Sequence, residues 1–105
     1  MYSRLTFCKF FPDKLREVRR IHNEEIAPIL KKQRGNLSSY LLEPADKSDD
    51  LIWISQWRTK YDVDALETNG LFKRLIGKLE PFFIKTPSVK IYHAEEVMVS
   101  MTEML

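Results

Sequence analysis

His22, Trp57, Tyr40, Trp53, Arg58 and Tyr61 are the residues whose types and positions could do chemistry in this chain. An imidazole titrates near neutrality, so a neutral His22 set against a substrate could take up a proton. Indole and phenol rings stack on flat molecules, and their polar tips can orient what they hold. Trp57 could therefore be a stacking wall, with Tyr40 or Trp53 touching a ligand through a polar tip. Arg58 and Tyr61 follow Trp57 on a turn, where they could line a pocket mouth or simply face solvent. Each reading has a plainer rival. His22 could be a core histidine satisfied by a hydroxyl such as Ser39 or Tyr40, and Trp57 a core aromatic at a strand end. His93 is expected in interface packing and Cys8 as an inert buried thiol.

Several chemistries lack their residues. The three glycines at 35, 70 and 77 cannot form a phosphate loop. No His-x-x-x-His or paired-carboxylate arrangement suggests zinc or glycosidase chemistry. A single cysteine rules out an internal disulfide and a Cys-x-x-Cys site, which suits a cytoplasmic protein. Net charge is only +2, without a basic stripe, so no nucleic-acid partner is expected. Lys31, Lys32 and Arg34 cluster at a helix end, where cations complement the helix dipole. No run approaches the length needed to span a bilayer, and no membrane partner is expected.

The elements that must position these residues follow from periodicity. Residues 3–10 read as a strand, with Leu5 and Phe7 alternating with Arg4 and Thr6. Residues 12–34 carry a helical stripe of Leu15, Val18, His22, Ile26 and Ile29, which aims His22 at a sheet. Pro28 should kink that helix or restart it near Glu24, and Gly35 suits its end. Residues 36–43 and 51–57 read as strands around a polar loop, 44–50. Asp62 is expected to cap a short helix over 62–68, broken by Asn69-Gly70. A second helix then stops before Pro81, and a last strand covers 88–94.

The resulting order, β-α-β-β-α-β, is α+β and ferredoxin-like with an antiparallel sheet. Residues 1–94 form the domain, and 95–105 a tail that packs on a partner or frays. Leu51-Ile-Trp-Ile54 is apolar without alternation, so that strand should be covered on both faces. One chain of 105 residues has too little else to do this, and a homodimer is expected.

The stretch from Leu51 to Leu75 carries a resemblance. An apolar strand ends in Trp57, and Arg58-Thr-Lys-Tyr-Asp-Val-Asp-Ala-Leu66 leads to Asn69-Gly70-Leu71-Phe72-Lys73-Arg74-Leu75. This resembles the antibiotic biosynthesis monooxygenase-like family of dimeric α/β barrels, over about residues 3–94. The resemblance implies a homodimer with sheets packed face to face and a cavity between each sheet and its helices. It also implies a cofactor-independent monooxygenase acting on a small hydrophobic or aromatic molecule; the candidate base, His22, comes from the helical stripe and not from the resemblance. The alternative it leaves open is a non-catalytic module that binds a small ligand or haem. Haem-degrading relatives use an asparagine on the first strand, a tryptophan and a histidine. Here no asparagine precedes Asn23, and Leu66 stands where the resemblance leads one to look for the histidine. No metal and no cofactor is therefore expected.

Overall fold

The computed structural model describes residues 1–95, so most of the 95–105 tail lies outside the described residues. Four strands, β1 (Tyr2–Cys8), β2 (Asn36–Leu42), β3 (Leu51–Trp57) and β4 (Ser88–His93), form one antiparallel sheet in the order β2-β3-β1-β4. With its helical segments between β1 and β2 and between β3 and β4, this is the ferredoxin-like α+β arrangement.

β3 runs from Leu51 to Trp57, as its apolar pattern predicts, and its faces separate by strict alternation. Leu51, Trp53, Ser55 and Trp57 are buried, while Ile52, Ile54 and Gln56 are half-buried. The helices cover the first set. Cross-strand partners share a face, so the pairings Leu5↔Ile54, Phe7↔Ile52, Tyr40↔Ile54, Leu42↔Ile52 and Ser3↔Tyr92 map a second, open face. Tyr40, Leu42 and Tyr92 are exposed on it. The covered face carries Arg4, Thr6 and Cys8 from β1, all buried.

The long helix is broken. A 3-10 turn, Pro12–Lys14, leads into α1 (Leu15–Ile21), then a π-helical turn, His22–Ile26, then α2 (Ala27–Lys31). The Ala27 N–H reaches back to the His22 carbonyl, five residues away. Pro28 has no N–H to offer the Glu24 carbonyl, and a π-turn absorbs that mismatch. The extra residue also shifts the helical phase. Val18, Ile21, His22, Ile26 and Leu30 are the buried positions, and from Val18 onward the stripe recurs every four residues. The stripe thus ends on Leu30 rather than Ile29, which is only half-buried against the core.

α3 spans Lys60–Thr68 and is capped by Thr59, not Asp62. Thr59 Oγ1 accepts the Asp62 N–H at 3.1 Å and donates to Asp62 Oδ2 at 2.8 Å. Thr59 is thus the N-cap and Asp62 the N3 residue, its carboxylate accepting from the Thr59 hydroxyl. Gly70 at φ 76° then allows the chain to turn into α4 (Leu71–Gly77).

Candidate functional site

Nothing in the sequence pattern marked the most unusual interior group. Arg4 is 2% exposed, and its guanidinium lies 4.0 Å from the centroid of Phe72. It donates to Glu67, whose side chain is 56% exposed, while Arg4 Nε is buried and has no partner among the described residues. Alternation shows that Arg4 and Leu5 face opposite ways, but not which way is inward. A charge beside Leu5 suggests solvent. The helices cover Arg4's face because the larger apolar set of β3 and α1 lies there.

Phe72 also stacks on Trp53, with centroids 5.8 Å apart and planes at 15°. Trp53 Nε1 donates to Ser39 Oγ at 3.1 Å, and Ser39 Oγ lies 3.0 Å from His22 Nε2. His22 Nδ1 is 3.0 Å from Asn23 Oδ1. These partners assign the tautomer. Indole can only donate and the amide oxygen can only accept. His22 therefore carries its proton on Nδ1, and Ser39 directs its own proton to Nε2. Burial lowers the His22 pKa from its usual 6.5, and the Asn23 contact only partly offsets this. The imidazole is neutral at pH 7. A continuous chain results, His22–Ser39–Trp53–Phe72–Arg4–Glu67, crossing the covered side of the sheet from its β2 edge towards α3.

The sequence candidates fall into three places. His22 and Trp53 belong to this chain, and His22 is indeed satisfied by the Ser39 hydroxyl. Trp57 is 1% exposed and donates to Ser55 Oγ at 2.9 Å. It lines a crevice of about 110 Å³ with Tyr61, Asp62 and Leu66. Tyr61 is exposed at its mouth, and Arg58 faces solvent beyond it. Tyr40 points from the open face, away from His22. His93, exposed on β4, rests against Tyr2 with centroids 4.9 Å apart.

His22 does not line any of the four most distinct cavities. The space behind the sheet is filled by Trp53, Phe72 and Arg4. Haem does not fit this interior. Both His22 nitrogens are engaged, and the buried Leu66 offers no donor. No group of three metal-ligating side chains occurs among the described residues. None of the described helices is long and apolar enough to cross a membrane.

Comparison with known proteins gives a consistent picture. The family model for antibiotic biosynthesis monooxygenases matches residues 1–78. A candidate antibiotic biosynthesis monooxygenase from Deinococcus radiodurans superposes with a TM-score of 0.76 at 14% identity, over 96% of this chain and 99% of that one. The haem degrader MhuD from Mycobacterium tuberculosis, solved with two haems in its active site, gives 0.76 at 12%, over 94% and 100%. A conserved protein from Methanosarcina mazei gives 0.72 at 17%, over 90% and 94%. At such identities these structures share the fold. No curated protein matches the sequence.

Proposed function

Because the chain belongs to the antibiotic biosynthesis monooxygenase family, we propose that it is a homodimeric, cofactor-independent monooxygenase acting on a small aromatic molecule. The observation that carries this reading is the buried, neutral imidazole of His22, joined through Ser39 to Trp53. Ser39 is half-buried on the edge strand β2, so it is the point at which a phenolic hydroxyl can meet the chain. A proton leaves the phenol for Ser39 Oγ as the Ser39 proton passes to His22 Nε2. The phenolate left behind is electron-rich and is the only reductant needed: dioxygen takes four electrons from the quinol, one oxygen atom replaces a ring hydrogen, the other leaves as water, and the product is a hydroxyquinone. Trp53 is buried behind Ser39, and its indole N–H fixes the Ser39 oxygen in this path. Tyr40 and Arg58 lie away from it and are assigned no step, and Trp57 with Tyr61 lines a separate crevice that His22 does not reach.

Oxygen uptake with a panel of quinols tests this reading. His22→Gln should lower the rate about a hundredfold or more, the usual worth of a positioned base. Because burial lowers its pKa, the base stays unprotonated below pH 6.5, and activity should persist there in the wild type. An unchanged rate in His22→Gln overturns the assignment. The filled interior supports a second reading, a non-catalytic module that binds a small ligand. No quinol would then be consumed by either protein.

The homodimer rests on the open face. Leu5, Phe7, Ile52 and Ile54 are half-buried there, with Tyr40, Leu42 and Tyr92 exposed around them. Such a patch on a lone chain is an interaction surface by default. Sedimentation at micromolar protein should show a two-chain species, and Ile54→Glu a single folded chain. A wild-type monomer would sink the dimer.

A further inference from the structure

We propose that Ser39 is a nucleophile, activated by His22 and Asn23, that takes a short acyl group from an ester. A nucleophilic serine is recognised by its geometry: a hydroxyl within hydrogen-bond reach of a base whose far side is held by a third group. All three parts are in place. Ser39 Oγ lies 3.0 Å from His22 Nε2, and His22 Nδ1 lies 3.0 Å from Asn23 Oδ1. With its proton on Nδ1, the imidazole turns the Nε2 lone pair towards the hydroxyl. Trp53 Nε1 donates to the same oxygen at 3.1 Å, which favours the charge that gathers there as the proton leaves. A hydroxyl that only satisfied a core histidine would be as buried as the ring. His22 is 3% exposed, whereas Ser39 is half-buried on the edge strand β2. The base stays dry while the nucleophile meets solvent.

Ser39 Oγ bonds to the acyl carbon as its proton passes to His22 Nε2. The bond from that carbon to the leaving oxygen breaks, and the leaving group takes the proton from His22. Water then attacks the acyl-serine, giving one proton to His22, which returns it to Ser39. Ester and water become acid and alcohol, and no oxidant is needed. Ser39 lines none of the four most distinct cavities. The acyl group must therefore be short, with the leaving group outside in water. This step shares Ser39 and His22 with the proposed oxidation but uses neither quinol nor dioxygen, so each is read by its own assay.

Incubation of the full chain with p-nitrophenyl acetate tests it, with the acetylated residues identified and timed by peptide mass spectrometry. The wild type should carry acetyl on Ser39. His22→Gln should slow acetylation of Ser39 about a hundredfold or more. Asn23 is exposed, so Asn23→Ala should fold normally. It should slow acetylation of Ser39 about tenfold, because water can partly take over in holding the ring. Asn23→Asp keeps the accepting oxygen and should restore the wild-type rate, which a loss of packing alone would not allow. Acetyl found only on lysines or the N-terminus would overturn the proposal. So would Ser39 acetylated equally fast in His22→Gln, or Asn23→Asp no faster than Asn23→Ala. Quinol-dependent oxygen uptake without acetyl-Ser39 removes this activity and leaves the oxidation standing; the reverse result removes only the oxidation.

Discussion

Gly35→Ala should destabilise the protein by about 3 kcal/mol or more, lowering its melting temperature by on the order of 15 °C. Gly35 sits at φ 78°, between α2 and β2. A left-handed conformation costs a side-chain-bearing residue about 1–2 kcal/mol. The larger cost comes from Asp62. An added Cβ would lie 2.1 Å from Asp62 Oδ2, 2.3 Å from its Cγ and 2.7 Å from its Cβ. Asp62 is buried and held by Thr59, so it cannot swing away without undoing the start of α3. The Gly35 carbonyl also accepts the Arg58 N–H at 2.8 Å, so the same shift pulls on the end of β3. The other glycines separate these terms. Gly70 has φ 76° but nothing within 4 Å of an added Cβ, so Gly70→Ala should cost about 1 kcal/mol, the backbone term alone. Gly77 is helical with open space around it, and Gly77→Ala should stabilise by about 0.5–1 kcal/mol. Equal losses at positions 35 and 70 in denaturant unfolding would show that the Asp62 contact carries nothing.

The close approach of Gly35 to Asp62 also shows where sequence reasoning stops. Gly35 reads as a helix-ending glycine and Asp62 as a helix-starting acid, and both readings name the right neighbourhood. That one forbids a side chain on the other is a tertiary fact. The strands were legible because the polar run 44–50 brackets them and because β3 is apolar at successive positions. The inward direction of His22 was legible from the stripe, but Ser39 and Tyr40 were equal candidates for its partner, and only the sheet register puts Ser39 on the covered face and Tyr40 on the open one. The phase shift that buries Leu30 instead of Ile29 was not legible. Pro28 announces a disruption, but a kink, a restart and a π-turn place later residues differently. Thr59 was not legible as the cap because threonine and aspartate both cap, and only two residues separate it from Asp62. The cavities were beyond reach because they depend on how the β2–β3 loop lies over α1. No periodicity encodes that.

Arg4 poses the sharper test, because its cost and its purpose can be measured separately. A guanidinium taken out of water loses hydration that one ion pair with a mostly exposed carboxylate repays poorly. Contact with Phe72 returns about 1–2 kcal/mol, yet Nε remains buried and unpaired, which costs about 1–3 kcal/mol. Arg4→Met keeps most of the volume and lets sulfur rest on the Phe72 ring. It should leave stability unchanged or raise it by about 1 kcal/mol. Arg4→Ala leaves a hole between β1 and α4 and should cost about 3 kcal/mol. Glu67→Ala should fall between them, because it strands a buried cation that still has the ring face and nearby solvent. In Arg4→Met the same Glu67→Ala change should cost almost nothing, which makes the coupling visible in a double-mutant cycle. If Arg4→Met instead destabilises as much as Arg4→Ala, the guanidinium earns its place through stability. If Arg4→Met folds at least as well but loses activity on the quinol panel, the buried cation acts on the reaction from a distance, through Phe72, Trp53 and Ser39, by holding the proton path in place.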